Sequence, residues 1–579
     1  MMLADLYTMR AFSIQMLGVL TGILGVVYFL YKAALPKPIP GIPYNKDAVK
    51  SLFGDFPTFM KWRAERPELW AWVSTQSYKL NSPVIQLFMR PLGRPWVVVA
   101  DFREAEDIMT RRAKEFGRAR LFYDFFSPLL PNSHIHMPMN EVWRAHRRLV
   151  GDVFVPEFLH GVALPRIRQM TLNTMQLWEE KARLAQGRPF YALSDVHHMA
   201  LEIMWAVAFG TEIETTTDQC SVLSPRESIP LPVDRDSPVT FPTAPINAAF
   251  NSIITLTNSV EIPVSSPFPR QTYLFALTFY PRLRSAVAHK NQLIKERLNA
   301  AWQRLSRPHK QEGAIRCATD LFVQREINMA KKDNRAPQYD TPVIRDELFN
   351  FLVAGLDTTS ITVCWGLKFL TANQGVQKQL RAALHEQYIR ASEAGQFPTA
   401  EEMLGADIPY LDAVIEEVHR LGGTASVNTR VALCDTQILG CHIPKGTELF
   451  MPSQGPSYVS PSIAVDESKR GATSSEFKNR FGVWNDASIG DFLPERWLVE
   501  DTETGRRFNP NAGPSHPFGA GPRGCLGRKF ATLELKMVIT LIVWNFMLEP
   551  TPKELSSFGA QDLMAHTPQQ CYIRLAKAR

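Results

Sequence analysis

Helix-period stretches dominate the chain, and short strand-period runs interrupt them in two places. The first stretch, Ala11–Tyr31 (AFSIQMLGVLTGILGVVYFLY), carries no charged residue. At about 1.5 Å per residue it can cross a hydrocarbon core about 30 Å thick. Prolines 36, 38, 40 and 43 follow and predict a stiff hinge over residues 32–44. Asp47–Trp72 reads as helical and mixed. Pro83–Ala100 has β-branched and aromatic runs broken by a Pro-Leu-Gly turn, the pattern of a hairpin. Phe116–Pro138 reads as a loop carrying Phe122, Tyr123, Phe125 and Phe126, whose rings pack onto a core or cover a pocket. Glu141–Val153 and Leu172–Phe209 return to helical spacing. Residues 221–271 contain nine prolines and little periodicity, which predicts an inserted loop rather than a domain. Pro342–Leu370, Tyr410–Leu421 and Arg528–Leu548 are further helices. Ala425–Arg430 runs into a strand, Ile438–Phe450 reads as hairpins, and Val465–Lys478 is polar enough to predict an exposed segment. The fold class is mainly α with small β-sheets, preceded by one transmembrane helix. The domain order is a short lumenal segment 1–10, an anchor 11–31, the hinge 32–44 and one catalytic domain 45–579.

Composition narrows this only slightly. With 45% hydrophobic and 21% charged residues, the 579-residue chain has ample material for a core. A net charge of +7 without a dense Lys/Arg tract gives no ground for nucleic-acid binding. The seven cysteines are odd in number and unpaired in spacing, which fits a reduced, cytosol-facing body. Lys32 and Lys37 after the apolar helix put the body on the cytoplasmic side. Ala33-Ala34 offers a signal-peptide cleavage site, but the apolar core is longer than a signal h-region, and an uncleaved anchor is the better reading.

The chemistry centres on Phe518–Gly527, FGAGPRGCLG. Four glycines and a proline make a tight irregular loop, with Cys525 at the start of the helix that follows. Free N–H groups and the positive end of the helix dipole favour an anionic sulfur there. No second cysteine lies within four residues, so a zinc knuckle or iron–sulfur site does not fit. Phe518, Gly519, Gly521, Arg523, Cys525 and Gly527 fill every fixed place of F-G-x-G-x-R-x-C-x-G, and the loop resembles the heme-binding loop of the cytochrome P-450 superfamily. The resemblance implies Cys525 as the thiolate ligand of heme b (iron protoporphyrin IX).

Four further motifs resemble that family in its own order. Trp143 and Arg147, at i and i+4, match W-x-x-x-R and would bind a heme propionate, as would Arg430. Ala354-Gly355-Leu356-Asp357-Thr358 matches A/G-G-x-D/E-T. There Thr358 would hydrogen-bond the oxygen being split, Asp357 would relay protons, and Gly355 would leave room for dioxygen. Glu417 and Arg420 match E-x-x-R, and Arg496 in Pro494-Glu495-Arg496-Trp497 would join them in support of the fold. Ala425–Asn428 would line the pocket. Arg144, Arg148, Arg528 and Lys529 would form a basic face for an acidic electron donor.

The resemblance, strongest to fungal microsomal members, implies a monooxygenase at the endoplasmic reticulum membrane. It would oxidise an apolar small molecule of secondary metabolism with electrons from NADPH through NADPH-cytochrome P-450 reductase, with cytochrome b5 as a second candidate donor. Two readings compete: a heme-thiolate isomerase or dehydratase that uses no dioxygen, and a non-catalytic heme sensor or carrier. The Asp357-Thr358 pair favours the monooxygenase.

Overall fold

Helices wrapped around several small sheets make up the protein, in a computed structural model that describes residues 2–266, 268–306, 315–482, 484–501, 505–562 and 564–578. The chain begins with α1 (Met2–Ala34), one continuous helix that outruns the expected span. None of its Met16–Ala34 stretch is buried, as befits an apolar helix made for another solvent. The proline-rich segment after it is not a free spacer. Ile39 and Ile42 are buried, and Gln86 receives the Ile39 N–H and donates to the carbonyls of Ile39 and Ile42, each at 2.8 Å.

The expected hairpin forms as β1 (Val84–Leu87) against β2 (Trp96–Val99). With β3 (Phe116–Gly117), β4 (Val427–Ala432) and β5 (Glu448–Pro452) it builds one sheet of spatial order β1-β2-β5-β4-β3, in which only β2 and β5 run parallel. Both faces of this sheet are covered, so its strands read as apolar runs rather than alternating ones. Val84, Val97, Val99, Leu449 and Met451 pack on one side with Ile39 and Ile42. Ile85, Leu87, Val98 and Phe450 pack on the other with Trp70 and Trp72.

The helical body surrounds two long buried helices. Helix α2 (Glu141–Gly151) opens with the Asn140 side chain accepting the Trp143 N–H. Helix α3 (Leu193–Phe209) is buried over nearly its whole length. Two expectations are corrected here. Residues 221–271 are not loop throughout: they hold α4 (Ala248–Ser259), which buries Phe250, Ile253 and Leu256, and a 3-10 turn at Ile262–Ser265. Sparse apolar positions three apart were enough once neighbours covered them. Phe116–Pro138 likewise contains a helix, Arg120–Phe126. The polar Val465–Lys478 segment is mostly exposed, as expected, and is pinned through Arg470 and Ser474. Arg470 pairs with Asp101, Glu104 and Glu467, and the Ser474 hydroxyl, fully buried, donates to Glu104.

Helix α5 (Pro342–Ala372) starts at a Thr341 cap with Pro342 in its first turn and crosses beneath α3. It runs unbroken through Ala354–Ser360, despite the glycine and hydroxyl residues there. Helix α6 (Pro409–Gly422) ends at Gly423, whose φ of +49° suits glycine. Helix α7 (Arg528–Asn545) packs against α5 and carries Phe530, Leu535 and Ile539 into the core. The last strand, Tyr572–Lys577, pairs with both Phe546–Glu549 and Phe190–Tyr191.

Glu417 and Arg420 of α6 meet as expected. Arg420 donates to both carboxylate oxygens of Glu417, at 2.9 and 2.8 Å, and to the Tyr458 and Ile489 carbonyls. Glu417 also receives the Trp497 indole N–H and the Leu493 N–H, with Arg496 at 3.6 Å. Glu417 is wholly buried, so Arg420→Ala strands a carboxylate in a desolvated place. The expected loss is about 3–5 kcal/mol, read as a fall in the denaturation midpoint or failure to accumulate folded protein. Unchanged stability in that variant contradicts a buried supporting role.

Candidate active site

The Phe518–Gly527 loop is held by short backbone bonds. The Cys525 N–H reaches the Phe518 carbonyl at 2.8 Å, and Gly524 closes a turn on Gly521 at 2.9 Å. Gly519 and Gly521 have φ of +61° and +67°. A Cβ on Gly521 would lie 2.0 Å from the Met109 carbonyl oxygen, so this glycine is required twice over. The Gly527 N–H donates to the Cys525 sulfur as α7 begins.

Above the loop lies a cavity of about 360 Å³ between Cys525 and the middle of α5. Phe518, Arg523, Trp143, Arg147, Arg430, Gly355 and Thr358 all line it, as do Ala425, Val427 and Asn428. Arg420 reaches its wall, while Glu417 and Arg496 do not line it. Cys525 is exposed because it opens onto this space, yet the space is enclosed enough for burial to push its thiol up, with Gly527, Arg147 and Arg528 opposing.

The family comparisons agree with this arrangement. The Cytochrome P450 family model matches residues 65–457 and 482–572. The chain belongs to the cytochrome P450 family. A cytochrome P450 monooxygenase of Pestalotiopsis microspora (GME11363) is 41% identical over 567 residues, covering 97% of this chain and 98% of that one. Another from Fusarium sporotrichioides (TRI13) is 37% identical over 577 residues, covering 95% and 97%. Among solved structures, the heme domain of cytochrome P450DA superposes with a TM-score of 0.66 at 17% identity, covering 94% and 99% of the two chains. By kinship this P450 is an oxidoreductase that incorporates oxygen.

P450 membership implies heme, and the residues present fit it. Arg118, Arg147, Arg430 and Arg523 converge on the cavity, and among the described residues none of them forms an ion pair. Each donates only to backbone carbonyls: Arg118 to Ile135 at 2.8 Å, Arg147 to Pro522 at 3.0 Å, Arg430 to Thr429 at 2.9 Å, and Arg523 to Met137. Burial holds all four below the usual arginine range, Arg430 at about 10 and Arg523 at about 9, the latter pressed also by Arg430 and Arg147. Trp143 Nε1 and Arg523 Nε are buried without a partner. A planar apolar group with two carboxylates and a thiolate-seeking metal supplies what these cations and donors lack.

Arg118 is the residue sequence reading missed; the signal was an arginine set among the aromatics of FGRARLF. Its guanidinium lies 3.3 Å over the Phe122 ring. Glu534 was missed too: it is wholly buried on α7, where burial pushes its carboxyl up to about 8 against a weaker opposing pull from Thr359.

On α5, Gly355 lines the cavity, and a Cβ there would lie 2.4 Å from the Met204 sulfur, so the glycine also makes room for this α3 side chain. The Thr358 hydroxyl donates to the Ala354 carbonyl at 2.7 Å and opens onto the cavity. Asp357 is pushed up to about 7, first by burial and then by Glu261, itself pushed up to about 7 by burial. On the basic face, Arg144, Arg148, Arg528 and Lys529 are exposed, but Arg144 pairs with Glu141.

The Asp357 shift has a signed consequence. Between the unfolded value of 3.8 and the folded value of about 7, the folded chain holds a proton that the unfolded chain has released. Stability from this group is present at low pH and lost as pH rises to about 7. Relative to wild type, Asp357→Asn therefore gains thermal stability from pH 5 to pH 7.5. A stability difference that stays flat across that range contradicts the buried, proton-holding Asp357.

Proposed function

We propose that the protein is a membrane-anchored heme-thiolate monooxygenase that oxidises an apolar small molecule with dioxygen and NADPH-derived electrons. The observation that carries this reading is the facing of Cys525 and Thr358 across one cavity whose arginines, unpaired among the described residues, call for a dianion. Heme b, which the Cys525 sulfur would hold, would supply the oxygen-activating chemistry when bound.

The chain's own residues do the rest. Arg118, Arg147, Arg430 and Arg523, with Trp143 Nε1, would hold the carboxylates of the group. Phe122, Val150, Phe154, Met204 and Phe351 give the cavity an apolar wall that excludes water and receives an apolar substrate. Thr358 presents to the cavity a hydroxyl that is hydrogen-bonded within α5. Asp357, whose carboxyl is pushed up to about 7 by burial and by Glu261, would hold a proton beside that hydroxyl below pH 7.

Attachment to the endoplasmic reticulum membrane follows from α1 together with a second apolar patch. Phe268, Phe275, Phe279 and Tyr280 are all more than half exposed, and the Phe275 and Phe279 rings lie 4.7 Å apart. Such a cluster is suited to dipping into a bilayer beside the anchor. NADPH-cytochrome P-450 reductase is the proposed electron donor, with cytochrome b5 as a second, meeting the face that carries Arg148, Arg528 and Lys529. The relatives in fungal gene clusters support a substrate from secondary metabolism.

The reading is tested with Thr358→Ala. With a ligand chosen because it shifts the heme spectrum of the purified enzyme, the variant consumes NADPH near the wild-type rate but releases most of the equivalents as hydrogen peroxide. Product formation fully coupled to NADPH use in Thr358→Ala contradicts the role of Thr358, and NADPH-independent turnover contradicts the monooxygenase reading itself.

A further inference from the structure

Helix α5 carries a second acidic site eleven residues before Thr358. Glu347 is wholly buried and receives the His134 N–H at 2.6 Å on Oε1, His134 Nδ1 at 2.7 Å on Oε2, and His146 Nδ1 of α2 at 2.8 Å on Oε1. Its neighbour Asp346 accepts the Asn132 backbone and side-chain N–H groups, both at 2.9 Å. Residues 132–134 are thereby fastened to α5 at the edge of the cavity. Burial alone would raise the Glu347 carboxyl, but its His134 and His146 donors hold it below its ordinary value, so it is ionised and can only accept.

That fixes the tautomer. A neutral imidazole whose Nδ1 meets a carboxylate carries its proton there and keeps a lone pair on Nε2. His134 lines the cavity with 14% of its side chain exposed, and no described group pairs with its Nε2. The neighbouring histidines have no such freedom: His136 Nε2 is bonded to the Leu130 carbonyl at 2.9 Å, and His146 does not line the cavity. Beside His134 the wall is made by Ile135, Phe122 and Phe351, with the Arg118 guanidinium bonded to the Ile135 carbonyl. A basic nitrogen in such a wall is a selective acceptor, because an unmet one is costly in a site that excludes water.

We propose that His134, oriented by Glu347, is a substrate-binding residue that accepts a hydrogen bond from a hydroxyl, so that the preferred substrate is an apolar molecule already bearing a free alcohol. Such a substrate is the product of an earlier oxygenation, carbonyl reduction or hydrolysis, and this enzyme acts after that step. The inference rests on the monooxygenase reading and narrows its substrate class.

The test uses the heme-loaded full chain and a matched trio on one carbon skeleton: the alcohol nootkatol, the ketone nootkatone and the hydrocarbon valencene. Dissociation constants are read from ligand-induced shifts of the heme Soret band. Wild type binds the alcohol about tenfold more tightly than the ketone, the factor of one hydrogen bond. In His134→Asn the amide nitrogen stands where Nδ1 stood and keeps the Glu347 bond, but no acceptor stands where Nε2 stood, and the alcohol-to-ketone ratio falls toward one. In Glu347→Gln the amide oxygen serves the two donors on the Oε1 side, while the amide nitrogen faces His134 Nδ1. The ring proton then moves to Nε2, and the ketone is preferred. Equal binding of alcohol and ketone by wild type, no binding of any of the three, or an alcohol preference that survives His134→Asn overturns the proposal. If Glu347→Gln fails to fold, the wild-type ratio and His134→Asn still decide. A heme spectrum absent from every preparation strikes the monooxygenase reading beneath it, whereas an intact spectrum without alcohol preference strikes this inference alone.

Discussion

Four arginines without a carboxylate partner are the constraint on which the site depends. Arg118, Arg147, Arg430 and Arg523 come from four separate parts of the chain, and each spends its hydrogen bonds on backbone carbonyls. Burying these charges is unfavourable, and burial depresses both Arg430 and Arg523, the latter pressed further by Arg430 and Arg147. Other buried charges are paired, as at Glu417–Arg420, Lys181–Asp195 and Arg470–Asp101. The contrast locates the place where the polypeptide alone is incomplete, and an anionic prosthetic group completes it.

The surrounding scaffold exists to hold that place open. Glu417 ties α6 to the segment around Leu493 and Trp497, just before the Cys525 loop. Gly521 lets the loop press onto the Met109 carbonyl, and Gly355 lets α3 press onto α5. Residues 458–481, which the family model leaves unmatched, are secured by the Arg470 cluster against the Phe102–Met109 helix. Close packing at the glycines and buried ion pairs around the rim fix the geometry, and the cavity is the space they leave.

Much of this was legible in the sequence because its signals are local. The cysteine loop needs glycines at left-handed positions, W-x-x-x-R needs one helical face, and E-x-x-R needs two residues one turn apart, so spacing alone exposes them. What escaped depends on distant neighbours. Arg118 acquires meaning only where a strand end meets Arg430 and Arg523. Glu347 becomes a site only when a loop and α2 bring two imidazoles to it. Helix α4 hid inside a proline-rich stretch because its few apolar residues are a sufficient stripe only against the core. The contact between Gly355 and Met204 escaped for the same reason, since the two lie about 150 positions apart on different helices.

The central claim is that the Cys525 sulfur is the axial ligand of a heme seated on those arginines. Its most direct measurement is the absorption spectrum of the reduced, carbon monoxide-bound protein, taken for wild type and for Cys525→His. The account predicts a strongly red-shifted Soret band in wild type and its loss in the variant, with heme still bound. A red-shifted band that survives in Cys525→His, or a wild-type protein that folds without taking up heme, contradicts it.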